Sequence, residues 1–147
     1  LRPIIDKIRD ISSHTASLFI EEDSHCICLY RAHSNIQNHY TLEQGSRLKL
    51  TQGASGKVIL AYGRRSSDKY GLYKDIRDQG YCLSTNTHNK ALFALAVPVI
   101  SSSDKFVGSI VVSGPKDNFD EVQKKSLLDL LKNQLKGVVN KNGRLIS

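Results

Sequence analysis

"LKLTQGASGKVILAY" (48–62) sets an extended apolar segment, a loop of small residues and an apolar run in direct succession. The run after Gly56-Lys57 reads as a short helix from about Ala54 to Tyr62. Small residues before Gly-Lys invite comparison with the phosphate loop of nucleoside triphosphatases. That loop needs Gly, four residues, Gly, Lys, then Ser or Thr, so that successive N–H groups wrap a diphosphate and the hydroxyl holds magnesium. Here only Ala54-Ser55 separate Gly53 from Gly56-Lys57, and Val58 replaces the hydroxyl. The spacing excludes that chemistry. What remains is a helix start with bare backbone. Its first N–H groups lack intrahelical partners and point outward with the dipole. Gly53, Ala54 and Gly56 leave them unshielded, while Thr51 and Ser55 add hydroxyls. From these residues two readings stand open. One is a seat for a single carboxylate. The other is ordinary N-capping by Thr51 or Ser55 with close helix–sheet contact at the glycines.

Around this stretch, periodicity divides the chain. Ile4, Ile8 and Ile11 share a helical face over residues 3–13, widened by Ile5. "TASLFIEED" (15–23) and "HCICLYRAH" (25–33) read as a hairpin turning at Asp23-Ser24. In the second strand Cys26, Cys28 and Tyr30 alternate against Ile27, Leu29 and Arg31. Residues 38–45 form a weaker third strand, and residues 68–80 a helix closed by Gly80. "YCLSTNT" (81–87) begins another strand. "ALFALAVPVI" (91–100) and "FVGSIVVSG" (106–114) are apolar on both faces and are expected at the sheet centre. The last helix starts at an N-cap Asn118, with Glu121 completing a capping-box pair. Phe119, Val122, Leu127, Leu130, Leu131, Leu135 and Val138 line its broad apolar face.

The order is helix, three strands, a helical middle, three strands, helix. The fold class is α+β, with a curled antiparallel sheet of about six strands. The terminal helices cover one face. The middle segment, 46–80, crosses the other and leaves a cup closed by residues 48–56, where a small molecule binds.

Composition narrows the function. The chain has 147 residues, one domain's worth, of which 39% are hydrophobic and 24% charged. No apolar run approaches the ~20 residues of a membrane span. Charged residues 2, 6, 7, 9 and 10 break any signal-peptide core. Leu1 is not a natural start, so the chain reads as part of a longer polypeptide. The net charge of +7 is spread along the sequence, densest at Lys124, Lys125, Lys132, Lys136 and Lys141, and reads as a solvated face. Three cysteines, Cys26, Cys28 and Cys82, argue against a disulfide framework and for the cytoplasm. The histidines at 14, 25, 33, 39 and 88 show no metal-ligand spacing, so no metal or other cofactor is expected. No serine has base and acid partners at triad spacing.

Several stretches together resemble one known family. "LRPIIDKIRDISSHTASLFI", "CLYRAHS", "GSRLKLTQGASGKVILAY", "IRDQGY", "ALAVPV" and "VGSIVVSGP" are similar, in order and spacing, to landmarks of the C-terminal effector-binding domain of IclR-type bacterial transcriptional regulators, the isocitrate lyase regulator family. The resemblance implies a GAF-like fold. It also implies a preceding winged helix-turn-helix domain that alone touches DNA, and assembly as dimers or tetramers. The ligand would be a small organic or aromatic acid whose carboxylate sits on the amides of Ala54 and Ser55. The family's other ligand positions fall on Ser84, Ala94, Val111 and Ser113, with Tyr40 and Leu48 as apolar wall and Thr51 beside the loop. Ser84 stands where an aspartate can be, and Ala94 and Val111 carry no hydroxyl, so this pocket is less polar on that side.

The leading expectation is therefore a ligand sensor without chemistry. Two rivals have distinct signatures. An enzyme of GAF-like fold resembling a free methionine sulfoxide reductase needs an exposed, thiolate-prone cysteine. A pure assembly module oligomerises and ignores ligands.

Overall fold

The computed structural model describes residues 2–34, 45–63, 72–85, 91–117 and 119–136. The elements run α1 (Arg2–Ser12), β1 (Thr15–Glu22), β2 (His25–Ala32), β3 (Arg47–Lys49), α2 (Gly53–Tyr62), α3 (Leu72–Gln79), β4 (Cys82–Ser84), β5 (Leu92–Ile100), β6 (Phe106–Pro115) and α4 (Glu121–Leu135). The six strands form one antiparallel sheet in the order β3-β2-β1-β6-β5-β4. This is the expected α+β architecture.

Alternation along the strands sorts side chains onto two faces. Phe93, Leu95, Val97, Val99, Ile110 and Val112 meet Ile5 and Ile8 of α1 and Leu127 and Leu131 of α4. Ala96, Val111, Phe19, Cys26, Cys28 and Cys82 face the other way, against Leu50, Ala54, Val58, Ile59 and Ile76. The terminal helices thus cover one face, and α2 and α3 lie on the other, as expected. Each fully buried aliphatic side chain such as Ile8 or Leu131 contributes about 1.5–3 kcal/mol. The hydroxyl of Tyr30 donates to Asp6 Oδ1 at 2.6 Å and ties α1 to β2.

Local chemistry sets the turns. Asp23 and Ser24 take φ of 51° and 63°, the paired left-handed values that suit a two-residue hairpin loop. Gly80, at φ +86°, closes α3, and its N–H donates to Ile76 O.

Several expectations shift. The third strand is β3 at Arg47–Lys49, and residues 38–44 lie outside the described residues. The sheet's innermost pair is β1 and β6, with β5 one step out, because β1 is buried along most of its length. The N-cap of α4 is Asp120, not Asn118, since Asp120 Oδ1 accepts from the Gln123 N–H at 2.9 Å. Val122, in that exposed first turn, is 77% exposed rather than part of the apolar face. Ile11 is likewise 56% exposed, beside a groove between the end of α1 and α4. Val138 lies outside the described residues.

Candidate functional site

The loop before α2 is a tight turn, with the Gln52 N–H donating to Lys49 O at 3.0 Å. Gln52 is the N-cap residue in extended conformation, and no side chain caps the helix. Thr51 is exposed ahead of it. Gly53, Ala54, Ser55 and Gly56 are buried. The first turn is therefore out of solvent with its amides bare, an arrangement that ordinarily requires a partner. Gly56 lies flat against the backbone of Leu50, leaving no room for a Cβ. The glycine-packing part of the capping alternative is thus real, and the side-chain capping part is absent. Ser55 turns its hydroxyl to Cys26 Sγ at 3.3 Å, which seats the start of α2 over β2.

The sheet beneath carries the other expected residues in two adjacent rows. Register aligns Ser84, Ala94, Ser113 and Thr15 across β4, β5, β6 and β1. The next row is Cys82, Ala96, Val111, Ser17 and Arg31. Directly paired residues point to one face, so four of the expected positions, Ser84, Ala94, Val111 and Ser113, share the α2 side. Val111 is buried beneath α2, whereas Ala94 and Ser113 are only half-buried. Leu48 is half-buried, packs on the α2 cluster and pairs with Cys26. Tyr40 lies outside the described residues.

Thr15, Ser17, Ser109 and Arg31 join this face without having been expected. Ser109 Oγ and Arg31 Nε are both buried with no hydrogen-bond partner. An unsatisfied buried polar group costs about 1–3 kcal/mol, more when charged. Arg31 was expected opposite the cysteines. A β-bulge prevents that: Leu18 pairs with Tyr30 but Phe19 pairs with Cys28, so Leu29 is an extra residue. Beyond it the faces exchange. Tyr30 goes to the α1 side and Arg31 to the α2 side.

The cysteines do not form a reactive site. All three are buried and outside any disulfide. Burial raises the Cys26 thiol to about 11, against a partial lowering by Ser55 and with a further rise from Cys28. Burial also raises Cys82, opposed by the positive charge of Lys57. Lys57 is thus half-buried near Cys82. Among the described residues no group of three or more His, Cys, Asp or Glu could hold a metal ion. No described helix is long and apolar enough to cross a membrane. A separate groove of about 620 Å³ lies between β5 and α4, away from the residues expected to hold ligand.

Residues 71–138 match the family described as bacterial transcriptional regulator IclR C-terminal. A curated relative from Halobacterium salinarum, a probable HTH-type transcriptional regulator ArcR, is 26% identical over 83% of this chain and 56% of its own length. The chain spans about half the length of the curated relatives it matches. The C-terminal domain of a transcriptional regulator from Vibrio cholerae superposes with a TM-score of 0.80 at 21% identity, covering 92% of this chain and 91% of that one. A double mutant of the PobR transcription factor inducer-binding domain from Acinetobacter, solved with 3-hydroxybenzoic acid, does so with a TM-score of 0.76 at 19% identity, covering 90% and 91%. At these identities the two structures establish the shared fold.

Proposed function

We propose that this chain is the C-terminal domain of an IclR-type bacterial transcriptional regulator, and that it senses a small organic acid. The observation that carries this is the buried, uncapped first turn of α2 facing a sheet of small and hydroxyl-bearing residues. A carboxylate on the amides of Ala54 and Ser55 supplies the missing acceptors. Each charge-assisted bond is worth about 1.5–3 kcal/mol. After ordering costs, micromolar-to-millimolar affinity results, roughly −8 to −4 kcal/mol. The PobR inducer-binding domain, of the same fold, holds an aromatic acid, 3-hydroxybenzoic acid, in its double mutant.

Sensing becomes regulation when the acid binds one arrangement of a dimer or tetramer better than another. A coupling of about 1–3 kcal/mol suffices to re-orient attached DNA-binding domains. The cysteine-dependent enzyme is disfavoured by three buried thiols, two of them with raised pKa. The experiment is a thermal-shift screen of small carboxylic acids on this chain and on Ser55→Trp, whose ring fills the seat. A rise in Tm with one acid, lost in Ser55→Trp, supports the sensor. If no acid shifts the parent chain, a ligand-indifferent assembly module is the better reading.

A further inference from the structure

The groove between β5 and α4 opens on the face of the sheet opposite α2, and the sensing site makes no use of it. Its volume, about 620 Å³, is that of a small-molecule site. Val97 and Val99 of β5 and Leu128, Leu131 and Leu135 of α4 give it apolar walls. Ile100 at its edge is 42% exposed, so apolar surface there meets water. Tyr81 marks the end near Leu128, because its hydroxyl accepts from Lys124 Nζ at 3.2 Å, one turn earlier on α4. From Leu128 to Lys136 the helical wall runs roughly 12 Å.

The rim carries charge of one sign. Lys132 and Lys136 line the groove and are exposed, and the described residues around it include no acid. Lys124 is engaged by Glu121 at 3.0 Å as well as by Tyr81. Lys132 and Lys136 have no ion-pair partner among the described residues. Four positions apart, they stand on one side of α4, where like charges repel. An anion between them relieves that repulsion. The C-terminal dipole of α4 opposes an anion with roughly half a charge, which two lysines exceed.

The other wall disfavours a docked peptide strand. The pairing of β5 with β4 ends at Ala96, so the outer edge of β5 borders the groove at residues 97–100. Pro98 lies within that stretch and has no N–H to offer a ladder.

We propose that this groove is a second ligand site, distinct from the sensing site, and that it takes a free amphipathic carboxylate. The alkyl or aryl tail lies along the valine and leucine walls, and the carboxylate sits between the ammonium groups of Lys132 and Lys136. The proposal stands apart from the sensor reading above, since the two sites share no residue.

The test is an amide NMR titration of the isotope-labelled 147-residue chain with octanoate, octanol and octylammonium, each below micelle formation. The three share a tail and differ in charge. Octanoate should shift the signals of Tyr81, Ile100, Leu128 and Lys132. It should bind about 3- to 10-fold more tightly than octanol, the scale of one or two exposed ion pairs, with octylammonium weakest. Lys132→Gln combined with Lys136→Gln should bring octanoate down to the level of octanol and leave octanol unchanged. Octanol or octylammonium binding the parent chain as tightly as octanoate overturns the proposal, and needs no variant. Absence of octanoate binding overturns it too. So do shifts confined to the α2 face, which belong to the sensing site, and groove signals that follow protein concentration instead of ligand, which assign the groove to a second copy of the chain. None of these outcomes touches the sensor reading, which its own thermal-shift screen decides.

Discussion

The hydroxyl of Ser55 lies 3.3 Å from the thiol of Cys26 on β2, not over an amide of its own helix. That one contact both anchors α2 to the sheet and leaves its first turn uncapped. Ser55→Ala should therefore cost about 1 kcal/mol or less of stability, because it removes a weak contact and no cap. Denaturant midpoints measure this. A loss well above that would mean that the hydroxyl carries more than the thiol contact.

Gly56 is the closest approach between α2 and the preceding turn. A Cβ there meets the carbonyl of Leu50, which is backbone and cannot rotate away. Gly56→Ala should destabilise the chain by about 1–3 kcal/mol, the scale of overpacking a filled interior. Urea unfolding followed by circular dichroism would show it. An unchanged midpoint would place the loop farther from the helix than described.

The thiols should be inert in the folded chain. With Cys26 raised to about 11, about one molecule in a thousand carries its thiolate at pH 8. A thiol reagent at pH 8 should label the native protein slowly and all three cysteines at once in guanidinium. Rapid stoichiometric labelling of Cys26 or Cys82 in the native state would revive the enzymatic alternative.

His14 stands edge-on to Phe93 at a centroid distance of 5.2 Å, with its Nδ1 buried and unpartnered. Burial lowers its pKa below 6.5. The unfolded chain then takes up a proton at a pH where the folded chain still refuses it. Its proton count is higher, so stability falls as pH drops through about 6.5 toward the lower folded value. His14→Gln should flatten that part of the profile relative to the parent. Urea midpoints between pH 7 and 5 are the measurement, and parallel profiles for the two proteins would rule out His14 as the source.

Asp120 caps α4 with a 2.9 Å bond to the Gln123 N–H. Asp120→Ala should cost about 1 kcal/mol, within the ordinary range for losing such a cap. Thermal melting resolves a change of that size.

Much of this was legible in the residues themselves. The two-sided apolar pattern of residues 91–100 and 106–114 placed both strands inside a covered sheet. The small residues at 53–56 marked a helix start with uncapped backbone, and Gly80 marked the end of α3. These are local properties, fixed by periodicity and by which backbone angles a residue tolerates. The cap of α4 was misplaced by two residues, because Asn118 and Asp120 carry nearly the same signal and only the path of the chain chooses between them.

The largest difference lies at Leu29. Strict alternation put Arg31 opposite Cys26 and Cys28, but one extra residue in β2 reversed every side chain beyond it. Nothing in "HCICLYRAH" announces that bulge. It follows from pairing: Tyr30 meets Asp6 of α1 at 2.6 Å, while Cys26 meets Ser55 of α2 at 3.3 Å, on opposite faces of one strand. Local sequence determined which segments become strands and helices, since that is a matter of spacing and backbone preference. Which face each polar group serves was decided only in the tertiary structure, because it depends on contacts between segments distant in sequence.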